Sequence, residues 1–305
     1  MSAPEIHTIA AEDRFAIDLA DGRVAGLRWA NPGAPRLLFS HATGFCASAY
    51  RLMLGRLQPV FDVYAVDLRG HGRTSLPVDP ERLRSWNIYA RDIAAVIDRL
   101  SQEDPGRSGW ILAGHSCGAV VSALAAKRRA DIAALALIEP VATPPIMPFF
   151  AMTPLWRLHG PYLPLVKGAL NRRASWPTRE AVYESYARKP LFSAWAPGAL
   201  ADYLEDGLVD TPEGVRLACD PRWEAATFAA QGHHFWPAVA AASCPVSVLA
   251  AEHRSSTLFP GARRRFERLG ARVRSLKGPS HLIPLEAPDA ASAFILEAAE
   301  AALGR

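Results

Sequence analysis

Apolar and polar positions along the chain follow two periods. Residues 14–19 and 23–29 alternate residue by residue around Ala20-Asp21-Gly22, as strands with one buried face do, and the turn residues between them predict a hairpin. Largely apolar runs at 37–40, 61–66, 110–113, 133–138 and 245–250 fit buried strands, and 272–276 is a further strand. Between them, 50–57, 86–100, 119–126, 260–269 and 287–303 carry apolar residues at helical spacing or helix-favouring small residues. Strand and helix in alternation predict a mostly parallel sheet covered by helices on both faces. Chemistry in such a sheet sits at the carboxyl ends of the strands.

The regularity breaks over 142–237. Prolines 144, 145, 148, 154, 161 and 164 crowd its start, and helix-like pieces follow at 178–188 and 197–207. This is the pattern of a helical cap inserted into a core formed by 1–141 and 238–305. Five of the eight tryptophans fall inside it, with Phe149, Phe150, Phe192, Phe228 and Phe235. Most of these rings are expected to hold the cap together, and some to wall an apolar pocket. Phe45, Phe149, Trp156, Trp195 and His234 are the candidates for that wall.

Composition narrows the partners. At 305 residues, 50% hydrophobic and 21% charged, the chain can bury a large core. A formal charge of +4 is mild, and the basic clusters at 127–129, 172–173 and 263–265 are short and interleaved with acids, so they read as solvated helix faces rather than a nucleic-acid surface. The first fourteen residues lack a basic start followed by an apolar core, and no run approaches a membrane span; a cytoplasmic protein acting on a small molecule is expected. Cys46, Cys117, Cys219 and Cys244 have neither metal-ligand nor disulfide-framework spacing, and no cofactor motif is found, so neither metal nor cofactor is expected. Oligomeric state leaves no mark on the sequence.

One stretch carries the chemistry. The apolar run Trp110-Ile111-Leu112-Ala113 ends at Gly114-His115-Ser116-Cys117-Gly118, before a run of small helix formers. Glycines two before and two after a serine leave room for a sharp bend that lifts the hydroxyl clear of the sheet. The helix that follows aims unpaired N–H groups at whatever the serine holds. Late in the chain, His281 sits in a glycine and proline loop between the last strand and the last helix, where it can swing over the sheet edge.

Together with HATGF at 41–45 and VDLRGHGRT at 66–74, GHSCG and GPSHLIPLEAP occur in the order found in α/β-hydrolases, and over nearly its full length the chain resembles a serine hydrolase of that family with a helical cap. The resemblance implies an α/β-hydrolase fold with a mostly parallel eight-stranded sheet. It implies Ser116 as nucleophile and His281 as general base, since an unassisted serine hydroxyl is a poor nucleophile. It also implies an oxyanion hole from the backbone N–H groups of Thr43 and Cys117, with Ala42 standing where glycine is common. His71 and His115 are expected to support loops.

The orienting acid departs from the pattern. The loop at 251–257 has no aspartate, and its one acid, Glu252, lies near the strand end. Relatives such as haloalkane dehalogenases carry the acid after the sixth strand, where this chain has Glu139, so Glu139 is the expected third member and Glu252 the alternative. The implied reaction is hydrolysis of a carboxylic ester, lactone or thioester with an apolar acyl or aryl group, through an acyl-serine. Carbon–carbon bond hydrolysis and cofactor-free perhydrolysis use the same constellation. A small-ligand binding module without turnover is the alternative of another class.

Overall fold

The structure is a computed structural model, and it describes residues 12–107, 109–253, 255 and 258–303. The reading of the amino terminus as no export signal falls largely outside these residues. Eight strands form the main sheet: β1 (Asp13–Leu19), β2 (Gly22–Trp29), β3 (Arg36–Ser40), β4 (Asp62–Val66), β5 (Trp110–His115), β6 (Ile132–Ile138), β10 (Val246–Ala251) and β11 (Arg272–Leu276). A small second sheet is made by β7 (Ser175–Trp176), β8 (Leu208–Thr211) and β9 (Gly214–Leu217). The main order is β1-β2-β4-β3-β5-β6-β10-β11, parallel from β4 to β11 and antiparallel at the β1–β2 and β2–β4 pairs.

The largely apolar runs follow from this topology. In β3, Leu37 and Phe39 pack with Met53, Phe294 and Ile295 on one face, while Leu38 packs with Ile93, Val96 and Val120 on the other. Both faces are buried under helices, so neither can be polar. The helices Asn87–Glu103, Cys117–Ala126 and Ala262–Arg268 contribute to one side, and Pro288–Leu303 to the other. Among the described residues no helix is long and apolar enough to cross a membrane.

The expected helix over 50–57 is instead three short turns, Ala47–Tyr50, Arg51–Leu54 and Gly55–Leu57. The prolines of the inserted segment open helices rather than merely interrupting them. Pro148, Pro154, Pro164, Pro190 and Pro221 all stand in first turns, where a missing N–H costs nothing. The segment also holds the small sheet, which the irregular sequence did not announce. At its far end, Phe235–Ala240 contributes Phe235, Trp236 and Val239 to the same cluster as Val120.

The chain passes from β3 out to β4 and then returns to the other side of β3 as β5, making a switch point where loops diverge and leave a crevice. Two glycines close that crevice from below. A Cβ on Gly114 would overlap the backbone of Gly118, and one on Gly118 would overlap the carbonyls of Ser40 and His41. The start of the helix therefore lies directly on the end of β3. With no room for a methyl group, Gly118→Ala should cost about 3 kcal/mol or more and lower the thermal midpoint by roughly 6 °C or more. Gly168→Ala, in a helix where a Cβ meets nothing within 4 Å, should leave the midpoint unchanged or raise it slightly. Equal behaviour of the two variants in a melting experiment would contradict the packing.

Three buried histidines fasten the loops at this end of the sheet. His41 Nδ1–H donates to the Ala42 carbonyl (2.8 Å), and its Nε2 accepts from Leu68 N–H (2.9 Å). His71 Nδ1–H donates to the Arg69 carbonyl (3.0 Å) and its Nε2 accepts from Gly44 N–H (3.0 Å). For His115, Tyr50 O–H donates to Nδ1 (2.8 Å) while Nε2–H donates to the His281 carbonyl (2.9 Å). Tyr50 Oη in turn accepts from Ala42 N–H (3.1 Å). Each ring uses one nitrogen as acceptor, so each must be neutral. Burial depresses all three, His71 to about 4.

An unfolded histidine binds its proton near pH 6.5, so between that value and about 4 the unfolded chain binds more protons than the folded one at His71. Stability present above pH 6.5 is thus lost as the pH falls through this window. Asp67, whose carboxyl burial raises to about 6, works in the opposite direction and offsets part of the loss. The urea midpoint should fall clearly between pH 7.5 and 5, and the fall should be shallower in His71→Gln. A midpoint independent of pH over that range would contradict the neutral brackets.

Candidate active site

Ser116 joins β5 to Cys117–Ala126 at φ 56 and ψ −115, a conformation that strains a residue with a Cβ by about 1–3 kcal/mol. Its N–H donates to the Ile138 carbonyl (2.9 Å), tying the bend to the end of β6. Glu139 follows there, fully buried and also at positive φ (47). Its N–H reaches the Leu249 carbonyl (2.7 Å), so the two strained residues are locked to neighbouring strands.

The Glu139 carboxylate is held from several sides. Oε1 accepts from Ala251 N–H (2.6 Å) at the end of β10, and Oε2 accepts from Ser255 Oγ (2.8 Å). Oε2 also lies 2.9 Å from His281 Nδ1. A carboxylate can only accept, so Nδ1 carries the proton and Nε2 is the basic nitrogen. Glu252, the alternative acid, points elsewhere: its side chain pairs with His253 Nε2 (3.2 Å) at the surface. Its N–H donates to the Leu276 carbonyl (2.9 Å), which joins β10 to β11 and gives it a structural place.

The loop bearing His281 is fixed by a residue the sequence reading passed over. Glu286 Oε2 accepts from Ser280 N–H (2.6 Å), and its other oxygen takes the Ser280 hydroxyl. Ser280 Oγ accepts from Leu282 N–H (3.2 Å), closing the turn around the histidine. The imidazole packs against the ring of His115, centroid to centroid 4.9 Å, and so stands beside the residue preceding the serine. Ser116 Oγ itself makes no hydrogen bond among the described residues. In many enzymes the nucleophile–base bond tightens only in the substrate complex.

Thr43 and Cys117 meet across the β3–β5 switch point. The Thr43 side chain lies by the Cys117 thiol, which burial pushes up to about 12 despite that neighbour, so the thiol stays protonated at neutral pH. Neither the Thr43 nor the Cys117 backbone N–H has a partner among the described residues. Two unsatisfied donors, one on a helix N-terminus, are what a developing oxyanion requires. The loop that presents Thr43 is braced by His71 on Gly44 N–H, and by Tyr203 O–H donating to the Gly44 carbonyl (3.2 Å).

A cavity of about 550 Å³ opens over this end of the sheet. Thr43, Phe45 and His281 line it from the core, and Arg172, Lys189 and Phe228 from the inserted segment. Of the expected wall residues only Phe45 borders it. Trp195 is buried one layer behind, packed on Phe45 (5.7 Å) and Phe192 (4.7 Å). Trp156 lines a separate cavity of about 470 Å³ with Val166 and Leu170, its Nε1–H spent on the Ala229 carbonyl (2.9 Å). Phe149, 63% exposed, stacks edge-on with exposed His234 (5.3 Å) away from the triad. The sequence shows which of these residues are aromatic but not which side of the segment at 142–237 they occupy. Arg172, read as part of a solvated basic cluster, is at the cavity instead; its sequence neighbours gave no sign of this.

Comparison with known proteins agrees with the geometry. The model of the alpha/beta hydrolase family matches residues 37–294. A 2-(acetamidomethylene)succinate hydrolase from Mesorhizobium japonicum is 35% identical over 123 residues, 40% of this chain and 41% of that protein. A pimeloyl-[acyl-carrier protein] methyl ester esterase from Vibrio campbellii is 29% identical over 97 residues, 32% of this chain and 33% of its own. The match thus spans 41% and 33% of the length of these two relatives. Among solved structures, E-2-(acetamidomethylene)succinate hydrolase superposes with a TM-score of 0.74 at 22% identity, covering 97% of this chain and 100% of that one. The thioesterase domain from the curacin biosynthetic pathway has the same TM-score at 19% identity, covering 94% and 100%. With the strand order, the serine bend and a family match running from β3 through β11, the chain belongs to the alpha/beta hydrolase family.

Proposed function

We propose that the protein is a serine hydrolase that cleaves a carboxylic ester through an acyl-Ser116 intermediate, with His281 as general base and Glu139 as its orienting acid. The observation that carries this reading is the 2.9 Å contact between His281 Nδ1 and Glu139 Oε2, because it leaves Nε2 unprotonated on the side available to a nucleophile. Ser116 Oγ attacks the carbonyl carbon as its proton passes to His281 Nε2. The carbonyl oxygen becomes an oxyanion between the N–H groups of Thr43 and Cys117. When the tetrahedral species collapses, the C–O bond to the leaving group breaks and the departing alkoxide takes the proton from Nε2. Water then repeats the sequence on the acyl-serine, losing a proton to His281, and the carboxylic acid leaves as Ser116 regains its hydrogen. Throughout, Glu139 stabilises the imidazolium by charge and by the Nδ1–H bond. Phe45, Phe192 and Phe228 offer the acyl segment an apolar wall.

The names of the two relatives concern a substituted succinate and a methyl ester of a carrier-bound acyl chain, two different carbonyl substrates, so the leaving group is a property of the individual cavity. Cys117 is no competing nucleophile in this scheme, since its buried thiol remains protonated.

A fluorophosphonate probe should label the folded protein at Ser116 with one adduct per chain, and Ser116→Ala should be unlabelled. Absence of labelling in the wild type would remove the hydrolase reading in favour of a ligand-binding protein. For the acid, Glu139→Gln should lower kcat on a 4-nitrophenyl ester by about 10³-fold or more, as loss of the tautomer-setting group does in other triads. Glu252→Gln should retain activity within about threefold. The reverse pattern would transfer the role to Glu252.

A further inference from the structure

The cavity bordered by Thr43 and His281 has charge that the proposed ester chemistry does not use. Arg172 and Lys189 both border it, alongside Glu224 and the apolar rings. Arg172 Nη1 lies 3.2 Å from Glu224 Oε1, and its side chain makes no hydrogen bond among the described residues. Lys189 Nζ rests 4.2 Å over the Tyr186 ring and forms no ion pair among them. Two cations and one carboxylate therefore border this cavity, and among the described residues only Arg172 is paired with that carboxylate. The arginine fork retains N–H donors that the single contact with Glu224 does not occupy.

Glu224 is nearly fully buried, and its second oxygen has no partner. It abuts the oxyanion loop closely: a Cβ on Gly44 would come within 2.6 Å of its Oε1. Burial pushes this carboxyl up while Arg172 pulls it back, and burial together with the neighbouring Arg172 charge depresses Lys189. Two like charges have thus been brought together with less than full compensation, an arrangement that an incoming anion relieves. A cavity of about 550 Å³ is the size of a small-molecule site and leaves the anion within the same space as His281.

We propose that Arg172 and Lys189 form a subsite for a carboxylate carried by the substrate, at the end of the acyl chain remote from the bond that is cleaved. The substrate is then a half-ester of a short dicarboxylic acid, its apolar middle against the phenylalanines and its free carboxylate on the two cations. Arg172 is suited to bidentate contact with the carboxylate plane, and Glu224 holds the guanidinium toward the cavity. Lys189, at the exposed rim, adds a point charge. The assignment deepens the serine-hydrolase reading and rests on it for the position of the ester.

The test compares two substrates of equal shape: the 4-nitrophenyl half-ester of glutaric acid and its analogue with a terminal primary amide. At low ionic strength the wild type should prefer the carboxylate by at least tenfold in kcat/KM. Lys189→Glu should bring the ratio to one or below, and Arg172→Gln should lower it at least tenfold, in both variants because kcat/KM falls more for the carboxylate ester than for the amide analogue. Lys189 is exposed, so its variant should fold even if loss of the Arg172–Glu224 contact destabilises the other. Glutarate binding to Ser116→Ala, followed by calorimetry, separates the two claims. Binding that Lys189→Glu weakens at least tenfold supports the subsite even if no ester is turned over, in which case the hydrolase reading fails alone. Equal kcat/KM for the two esters, with no glutarate binding to Ser116→Ala, would overturn the subsite and leave hydrolysis standing.

Discussion

The carbonyls of Ser40 and His41 lie where any side chain on residue 118 would have to go, and the rest of the site depends on that contact. Because Gly118 allows it, the helix after β5 starts against the end of β3 instead of a side chain's width away. The Cys117 N–H and the loop carrying Thr43 then face one crevice. The sharp turn this demands falls on Ser116, whose strained φ and ψ are held by a hydrogen bond to the Ile138 carbonyl. The strain is offset by the packed sheet on either side. One close backbone contact thus presents both the hydroxyl and the unpaired donors.

Around this contact, proton positions are dictated by partners. His41, His71 and His115 each accept a hydrogen bond at one nitrogen and are kept neutral by burial, so they act as fixed brackets between loops. His281 differs in having the buried Glu139 carboxylate on Nδ1. His115 and His281 are joined, since His115 holds the main chain of His281 through its carbonyl. A hydrogen-bonded path runs from Ala42 through Tyr50 and His115 to His281, tying the loop after β3 to the loop after β11.

Sequence made most of the sheet legible because its strands are buried on both faces and read as apolar runs, and because the glycines of the serine bend have a steric reason to be there. Glu139 directly follows a strand, a position the resemblance offered for the acid, and the sheet fixes its direction there. Residues 142–237 were opaque for a matching reason. Several helices there are short and begin at prolines, and the aromatic residues point to the cavity beside His281, to a second cavity or to the surface with no periodicity to distinguish them. Trp156 and Phe149 were expected at the wall and are elsewhere, while Arg172, Lys189 and Glu224 border the cavity without any local motif. Only the fold of the inserted segment brings residues 172, 189 and 224 together over the oxyanion loop.

The central claim, that Ser116 is acylated with His281 and Glu139 behind it, is tested most directly by intact-protein and peptide mass spectrometry of the wild type quenched within milliseconds of mixing with an activated ester. The triad assignment predicts a transient mass gain equal to the acyl group, located on the peptide containing Ser116 and slower to appear in Glu139→Gln. Steady product release with no adduct at any time, or an adduct that persists in Ser116→Ala, would contradict it.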